Sequence, residues 1–454
     1  MSASFWCRLV FVVAVTALCG PALAQPLLTA AALQDDLRSL RRAIDTTHPD
    51  VHAFADAAAL DAAFGWVDAQ LRVPMDRDAA WRVFATLNPV FADTHVTVLS
   101  PDARGQTLAW LKAGAGLFPF EVQVHAAGDV EVLADLGGAP GRFAGQRILR
   151  IDGKPIEAIA STLLARTSGD TAAFARANLS RRWWWFYWKT FGAPQQFEIE
   201  LQPGGGDKRT VRVAASNSAP AWLLDTDPAN FDRAFSLRPL ADGVALLTVN
   251  TFDWPDKTRF HAFMRGVFTQ LRETKTSTLV IDIRNNGGGD DELWKEGLLR
   301  YIADKPYRHG SAFLLKVIEG RQRDGQKVGD VVQGQIQGWV QPAAEEPLRF
   351  RGKTVVVAGR NTYSSAVLFS NVVQDFGFAR LVGVGGHART RQTGGTQVHT
   401  LPNSGLQIVV PRFILDRPSG AREPPLLTPD IELADDPRNP QSLLTALLKT
   451  LKLP

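Results

Sequence analysis

Two turns in the second half of the chain combine residue types that can do chemistry. The first follows a continuous apolar run and reads Asp282-Ile-Arg-Asn-Asn-Gly-Gly-Gly289. Consecutive glycines let the backbone approach a bound group closely and expose N–H groups that side chains would cover. A phosphate-binding loop would share these glycines, but its Gly-Lys-Ser/Thr ending is missing here. The nucleotide-binding interpretation is therefore weak.

The second turn reads Asn361-Thr-Tyr-Ser-Ser-Ala366 and lies between a predicted strand and a predicted helix. A serine at a helix N-terminus meets free N–H groups and the positive end of the helix dipole, which favour developing negative charge. Ser364 or Ser365 could equally be an ordinary N-cap, because serine is a preferred residue there. The residues alone leave both roles open.

The elements around these turns alternate between strand and helix. Near-continuous apolar runs predict strands at 244–249, 278–283 and 354–358, and helical periodicity predicts helices at 257–273, 293–302, 365–376 and 440–451. Apolar strands alternating with amphipathic helices predict an α/β layer that is buried on both faces.

The remainder of the chain divides into three further segments. Residues 1–24 have Arg8, an apolar run at 9–18 and an Ala22-Leu-Ala24 ending, which predicts a cleaved secretory signal peptide. Residues 25–112 have helical periodicity and predict a helical N-terminal domain, whereas 113–216 have short strands and a hairpin at 126–129. Residues 217–454 form the α/β part.

Composition excludes several classes of protein. The 454 residues carry 50 Lys+Arg and 46 Asp+Glu, and this net charge of +4 is too small to indicate a nucleic-acid binder. Cleavage of the signal peptide would remove both cysteines, Cys7 and Cys19, so disulfides and cysteine nucleophiles are not expected in the mature chain. No later segment predicts stable membrane insertion, and we expect a periplasmic or secreted protein.

Taken together, the two turns resemble those of the carboxyl-terminal-processing, or tail-specific, serine peptidases, whose fold tricorn core proteases share. The resemblance implies a crotonase/Clp-protease-like α/β protease core over 217–454 and a serine-type peptidase acting on protein or peptide substrates. Residues 145–156 are similar to the characteristic segment of PDZ modules and imply a PDZ-like β-rich domain over 113–216. Such a module could bind a peptide tail by strand addition, which we place at 116–120.

The sequence departs from the tail-specific pattern at the general base. Tail-specific members carry a lysine about 25 residues after the serine, but here Arg389 stands near that place, and arginine stays protonated. The tricorn-like branch instead uses a histidine that follows a hydroxyl residue, together with a later glutamate. That likeness implies Thr94 and His95 for the pair, Ser364 for the nucleophile and Glu423 for the glutamate. The backbone N–H groups of Gly288 and Ser365 would then bind the oxyanion.

Several alternatives stay open at this stage. His387 is the reserve base, since it lies near the expected site in sequence. Histidines elsewhere lack acidic partners at ligand spacing, so we expect no metal and no cofactor. The aromatic run 183–188 is either a packing wedge or an apolar substrate or dimer surface. The rival function is a non-catalytic ligand- or peptide-binding protein on the same fold, and homo-oligomerisation is undecided.

Overall fold

A computed structural model describes residues 26–452, so the predicted signal peptide lies outside the described residues. The N-terminal part is mainly helical. Its elements are α1 (Ala30–Thr47), α2 (Ala57–Gln70), α3 (Arg77–Phe84), β1 (Thr97–Leu99) and α4 (Ala103–Lys112). Three of these helices begin at an aspartate whose side chain accepts a hydrogen bond from an N–H of the first turn, namely α2, α3 and α4.

The second part is a sheet with three helices. Its elements are β2 (Phe120–Val124), β3 (Val130–Asp135), β4 (Arg147–Ile151), β5 (Lys154–Pro155), α5 (Ile156–Leu164), α6 (Ala172–Arg181), α7 (Trp183–Phe191), β6 (Gln196–Gln202) and β7 (Arg209–Ala214). The strand order is β2-β3-β4-β6-β7, with β5 paired to β4. Alternating burial along β2 and β6 places one face of this sheet on the core.

The expected peptide-binding edge at 116–120 is not open along its length. Leu117 exchanges two backbone hydrogen bonds with Ser216, of 2.8 and 3.0 Å. At the far end of β2, the Val124 N–H donates to Ser180 Oγ on α6. Strand addition by a peptide tail would therefore need these pairings to be exchanged.

The third part contains the predicted α/β layer. Its elements are α8 (Ala221–Asp225), α9 (Phe231–Ala234), β8 (Phe235–Ala241), β9 (Val244–Val249), α10 (Lys257–Glu273), β10 (Thr278–Asp282), α11 (Asp291–Trp294), a π-helical turn (Lys295–Leu299), α12 (Arg300–Ile302), β11 (Ala312–Lys316), β12 (Val331–Gln335), β13 (Lys353–Ala358), α13 (Ser365–Asp375), β14 (Arg380–Gly383), β15 (Gln392–Gly394), β16 (Gln397–Thr400), β17 (Gln407–Val410), β18 (Phe413–Leu415), β19 (Ile431–Glu432) and α14 (Pro440–Thr450). The predicted strands and helices of this part are confirmed to within two residues, except that residues 293–302 form α11, the π-helical turn and α12.

The central sheet has the order β19-β14-β13-β10-β9-β8 and is parallel except for β8. One face packs against α10 and α13, and the other packs against Leu443, Leu444 and Leu447 of α14. Because parallel strands all end at one edge, β10 and β13 bring the two candidate turns side by side. A second, antiparallel sheet has the order β12-β11-β18-β15.

A third small sheet joins the N-terminal part to residues 397–410 of the third part. Strand β1 pairs antiparallel with β17, and β17 pairs with β16. Its apolar side chains belong to the same core cluster as the N-terminal helices. This sheet fixes the segment just before β1, which contains His95, against the α/β part.

The aromatic run 183–188 lies on α7 and serves packing. Trp183 and Trp184 are fully buried, and the run contacts α3 and the sheet of β2. Because these side chains are buried, the interpretation as a packing wedge is confirmed. Large aromatic side chains contribute apolar burial, which here holds the first two parts together.

Candidate active site

The glycine turn follows β10 and is tied to its neighbours through Asn286. This side chain is fully buried and donates to the Val249 carbonyl at 3.1 Å. Its main-chain oxygen accepts the N–H of Tyr363 at 3.0 Å, which joins the two turns. Gly288 has φ +101°, and a Cβ built there would lie 2.7 Å from the Ser364 Cβ. Only glycine fits at this contact.

Ser364 occupies a strained backbone position between β13 and α13. Its φ of 53° and ψ of −124° are values that residues with a Cβ rarely adopt. Its side chain makes no capping hydrogen bond to α13. The neighbouring Ser365 is buried, accepts from Trp294 Nε1 at 2.9 Å and donates to Asp291. The two serines therefore have different surroundings, and only Ser364 is free of a capping or packing role.

His95 lies directly over the Ser364 hydroxyl. Its Nε2 atom is 2.9 Å from Ser364 Oγ, and its side chain is 13% exposed. The loop that carries it is held by the His95 N–H, which donates to Asp93 Oδ1 at 2.9 Å. Arg389 also donates to the Ala92 carbonyl at 2.6 Å. Arg389, which stands near the tail-specific lysine position, thus supports the histidine loop.

The hydrogen bonds around His95 specify one tautomer of the ring. Nδ1 lies 2.8 Å from Thr393 Oγ1 and 3.2 Å from the Tyr363 hydroxyl. Thr393 donates its proton to Asp93 Oδ1 at 3.0 Å, and Tyr363 donates its proton to Asp170 Oδ1 at 2.9 Å. Both hydroxyl oxygens can then only accept from Nδ1. The proton therefore belongs on Nδ1, and Nε2 faces Ser364 as an acceptor.

The pKa values of the two carboxylates behind the ring, Asp93 and Asp170, are shifted in opposite directions. Burial alone would raise the pKa of Asp93, but the contact with His48 and the charge and N–H of His95 lower it. Burial and the neighbouring Asp93 charge raise the pKa of Asp170, despite the opposing charge of Arg389. Asp93 therefore stays ionised at lower pH and is the anion that can stabilise an imidazolium. Burial and Asp170 also raise the pKa of Tyr363 well above its usual range, so this phenol stays neutral.

Of the six residues predicted for the site, the structure brings Ser364, His95, Gly288 and Ser365 together. Glu423 is exposed in the stretch 419–425 on the exterior, and no hydrogen bond or ion pair links it to His95 within residues 26–452. The Thr94 N–H donates to Asp170 at 3.2 Å, but its hydroxyl is buried and makes no hydrogen bond to any residue from 26 to 452. Neither side chain occupies the place behind the ring.

The expected oxyanion donors and the reserve base have distinct positions. The Gly288 N–H donates to the Asn286 side-chain oxygen at 2.9 Å. The Ser365 N–H, in contrast, donates to no acceptor in the part of the chain that the structure describes. The His387 ring lines another cavity with Arg176 and Arg360, and its Nδ1 lies 2.8 Å from the Gly385 carbonyl. It has no contact with Ser364.

Sequence reasoning missed Asp93, Thr393, Tyr363 and Asp170. The order Asp93-Thr-His95 is the spacing of an aspartate turn, in which a side chain binds the N–H two residues on, and could have indicated Asp93. Tyr363 precedes the predicted nucleophile directly. Thr393 lies on β15 and Asp170 precedes α6, and neither has a local signal that connects it to His95.

The part of the chain that the structure describes has neither a metal-binding cluster nor a membrane-spanning helix. Within residues 26–452, no group of three or more His, Cys, Asp or Glu side chains is placed to hold a metal ion. None of the helices in that range has the length and apolar character that crossing a membrane requires.

Comparison with known proteins identifies the class. Residues 243–433, which include both turns, match the model of peptidase family S41. Over this part the chain is similar to that family, and the protein is a serine-type peptidase, a hydrolase. No curated protein sequence matches the chain.

Solved structures agree with the fold. The crystal structure of mature CPAF matches with a TM-score of 0.63 and 16% identity, covering 93% of this chain and 97% of that one. Mature CPAF complexed with lactacystin matches with a TM-score of 0.65 and 15% identity, covering 93% and 98%. The photosystem II D1 C-terminal processing protease gives a TM-score of 0.42 at 19% identity, covering 89% and 94%. At 15–16% identity the likeness to the two CPAF structures concerns the fold alone.

Proposed function

We propose that the protein is a serine endopeptidase that cleaves peptide bonds with Ser364 as nucleophile and His95 as general base. The observation that carries the proposal is the 2.9 Å contact between His95 Nε2 and Ser364 Oγ. A neutral imidazole at this distance can take the hydroxyl proton as Oγ attacks the carbonyl carbon. The resulting imidazolium then protonates the leaving amine, and water hydrolyses the acyl-enzyme by the same steps in reverse order. No lysine enters this scheme.

In this proposal Asp93, and not Glu423, stabilises the imidazolium. Its Oδ1 lies 3.9 Å from His95 Nδ1 and connects to that atom through the Thr393 hydroxyl. Tyr363 gives Nδ1 a second acceptor and links it to Asp170. The relay holds the ring with Nε2 toward Ser364, which is the orientation that a general base needs.

The proposed oxyanion donors are the N–H groups of Ser365 and Gly288. Ser365 opens α13, where the helix dipole adds to its free N–H. The Gly288 N–H would have to leave the Asn286 side chain and turn to the substrate oxygen. One such donor is worth about 3–4 kcal/mol of transition-state stabilisation in comparable sites.

We place the substrate in two neighbouring cavities that have lining residues in common. One has a volume of about 300 Å³ and is lined by Gly287, Gly288, Gly289 and Tyr363 beside Ser364. The other, of about 590 Å³, lies between β2–β3 and the α/β part. They share Arg181, Trp222 and Asn361, so a peptide could extend from the proposed PDZ-like domain to the nucleophile.

We also propose that the protein acts in the periplasm or outside the cell after cleavage behind Ala24. The support is the sequence of residues 1–24. N-terminal sequencing of protein recovered from an exporting host should begin at Gln25. A chain that retains Met1 and stays in the cytoplasm would refute this part of the proposal.

Hydrolysis of a disordered protein tests the catalytic proposal. Casein should be digested by the mature protein, and mass spectrometry should show internal cleavages. Ser364→Ala and His95→Ala should both abolish digestion, whereas His387→Ala should retain it. Full activity in His95→Ala, or loss only in His387→Ala, would refute the assignment of the base.

A further inference from the structure

Two arginines line the cavity beside Ser364 and have no carboxylate partner. Arg181 ends α6 and Arg182 follows it, and both are only partly exposed. Neither side chain forms an ion pair or a hydrogen bond with any residue between 26 and 452. Burial, together with the adjacent Arg182 charge for Arg181, lowers the pKa of each to about 10. Both guanidinium groups nevertheless stay charged at neutral pH.

The other arginines that line the two proposed substrate cavities are paired. Arg284 binds Asp282 at 2.7 Å and Asp435 at 2.8 Å, and Arg360 binds Asp435 at 3.2 Å. Arg438 binds Glu131 at 3.2 Å. A partly desolvated cation without an anion is costly, so a protein normally pairs it. The exception at Arg181 and Arg182 indicates that their anion comes from outside the chain.

Arg181 and Arg182 lie close to the nucleophile Ser364. Arg181 Nη1 lies 3.9 Å from the point where a Cβ on Gly287 would be. Gly288, the next residue, contacts Ser364. Arg182 lies over the Trp222 ring at 5.9 Å, and this ring forms another wall of the cavity. A group held by these guanidiniums therefore sits within one or two residues of the bond that Ser364 attacks.

The acidic groups nearby do not neutralise the pair. Asp225 attracts Arg181 but is held by Arg233 through contacts of 2.6 and 2.8 Å. Asp253 lines the same cavity but is exposed, so water screens its charge. A net positive charge remains inside a cavity of about 300 Å³, a volume at the lower end of ligand pockets. It suits one or two residues of a peptide.

We propose that Arg181 and Arg182 form a subsite that binds a carboxylate of the peptide substrate next to the scissile bond. The carboxylate comes from an Asp or Glu side chain or from the substrate C-terminus. Guanidinium groups bind carboxylates through two parallel N–H···O hydrogen bonds, which give both strength and orientation. This inference rests on the proposed peptidase function and adds the substrate class to it.

Binding to the Ser364→Ala protein tests the subsite without catalysis. The probes are four fluorescein-labelled octapeptides that carry Glu or Gln at one internal position, each with a free or an amidated C-terminus. Loss of the recognised carboxylate should weaken binding on the order of ten- to a hundred-fold, the range for hydrogen bonds to charged groups. Dependence on Glu identifies the side-chain source, and dependence on the free C-terminus identifies the terminal source.

Variants assign the effect to the arginines. In the Ser364→Ala background, Arg181→Gln and Arg182→Gln should remove the preference for the carboxylate. Arg176→Gln is the matched control, because it removes one charge from the same helix α6 outside this cavity. Equal affinity for all four peptides, or equal loss in Arg176→Gln, would overturn the proposal.

A second readout separates this inference from the peptidase proposal. With Ser364 intact, labelling of the wild type by a fluorophosphonate probe without a carboxylate tests the activated serine independently of the two arginines. Unlabelled wild type would refute the peptidase proposal while the binding result still decides the subsite. Labelled wild type with no carboxylate preference would refute the subsite alone.

Discussion

His95 Nε2 and Ser364 Oγ lie 2.9 Å apart although 269 positions separate the two residues in the chain. The contact exists because the sheet of β1, β17 and β16 anchors the histidine loop to the same part that carries Ser364. The ring orientation follows from two hydroxyl groups whose protons are donated to carboxylates. Substitutions at the individual groups separate these contributions.

The two hydroxyl acceptors of His95 Nδ1 should act as alternatives. Thr393→Val and Tyr363→Phe each remove one acceptor and leave the other, so each should slow fluorophosphonate labelling only several-fold. The labelling rate of the double variant should fall by more than the product of the two single reductions, with a coupling energy of about 1 kcal/mol or more. Thr393→Ser keeps the hydroxyl and should label normally. Strictly additive single effects would contradict the shared role.

The carboxylate at Asp93 should matter more than that at Glu423. Asp93→Asn keeps the size of the side chain but removes the anion nearest to His95, so labelling and hydrolysis should fall by about 1.5–3 kcal/mol, or ten- to a hundred-fold. Glu423→Gln should leave both rates unchanged, because this side chain is exposed and does not contact the ring. Loss in Glu423→Gln with normal rates in Asp93→Asn would reverse the assignment.

Gly288 should not tolerate a side chain. Gly288→Ala places a Cβ 2.7 Å from the Ser364 Cβ and 3.0 Å from the Ser365 N, so it should disturb the nucleophile and its oxyanion donor. We expect a loss on the order of 10²–10³ in kcat for peptide hydrolysis, the size of a lost oxyanion donor. Gly287→Ala is the control, since its nearest neighbour is Arg181 Nη1 at 3.9 Å. Equal rates in both variants would exclude this packing constraint.

Ser364 should be a site where glycine stabilises the fold. At most positions a glycine variant is less stable than the alanine variant, because glycine gives the unfolded chain more conformational freedom. Here the φ of 53° with ψ of −124° strains any side chain. Ser364→Gly should therefore exceed Ser364→Ala in free energy of unfolding by about 1 kcal/mol in urea titrations. A more stable alanine variant would show that the backbone is not strained.

Lowering the pH should weaken the contact that His399 makes between β16 and the N-terminal helices. Burial lowers the pKa of His399 from its ordinary value of 6.5, and its Nε2 lies 3.0 Å from Thr47 Oγ1. As the pH falls, His399 takes up its proton at a higher pH in the unfolded chain than in the folded protein. The contribution of the neutral His399 ring to the free energy of unfolding is therefore complete above pH 6.5 and is lost as the pH falls toward the folded pKa. In urea unfolding, wild type should lose more stability between pH 7.5 and pH 5.5 than His399→Gln. Identical pH dependence of the two proteins would contradict the role of His399.

Much of the fold could be predicted because the responsible patterns are local. The continuous apolar run of β9 and the periodic Phe260, Met264, Val267 and Leu271 of α10 specify a buried strand and its covering helix. The small sheet escaped prediction because its strands are short and because β17 pairs with β1, about three hundred residues away. Each of β16 and β17 has four residues, which is too few for a periodic pattern to be recognised alone.

The candidate site was predictable only where motif and resemblance agreed. Ser364, Gly288 and His95 stand in or beside recognisable motifs, and the structure brings them together. Glu423 was transferred from a short match in a segment that the structure leaves on the exterior. Thr393 contacts His95 through tertiary packing alone, so no pattern in either segment could connect them.

Intact-mass labelling of the mature protein with a fluorophosphonate tests the central claim most directly, because the reagent reports an activated serine without knowledge of the substrate. We predict one adduct on wild type and on His387→Ala, and none on Ser364→Ala or His95→Ala. Circular dichroism of the variants should establish that they are folded. An adduct retained in folded His95→Ala, or no adduct on wild type, would contradict activation of Ser364 by His95.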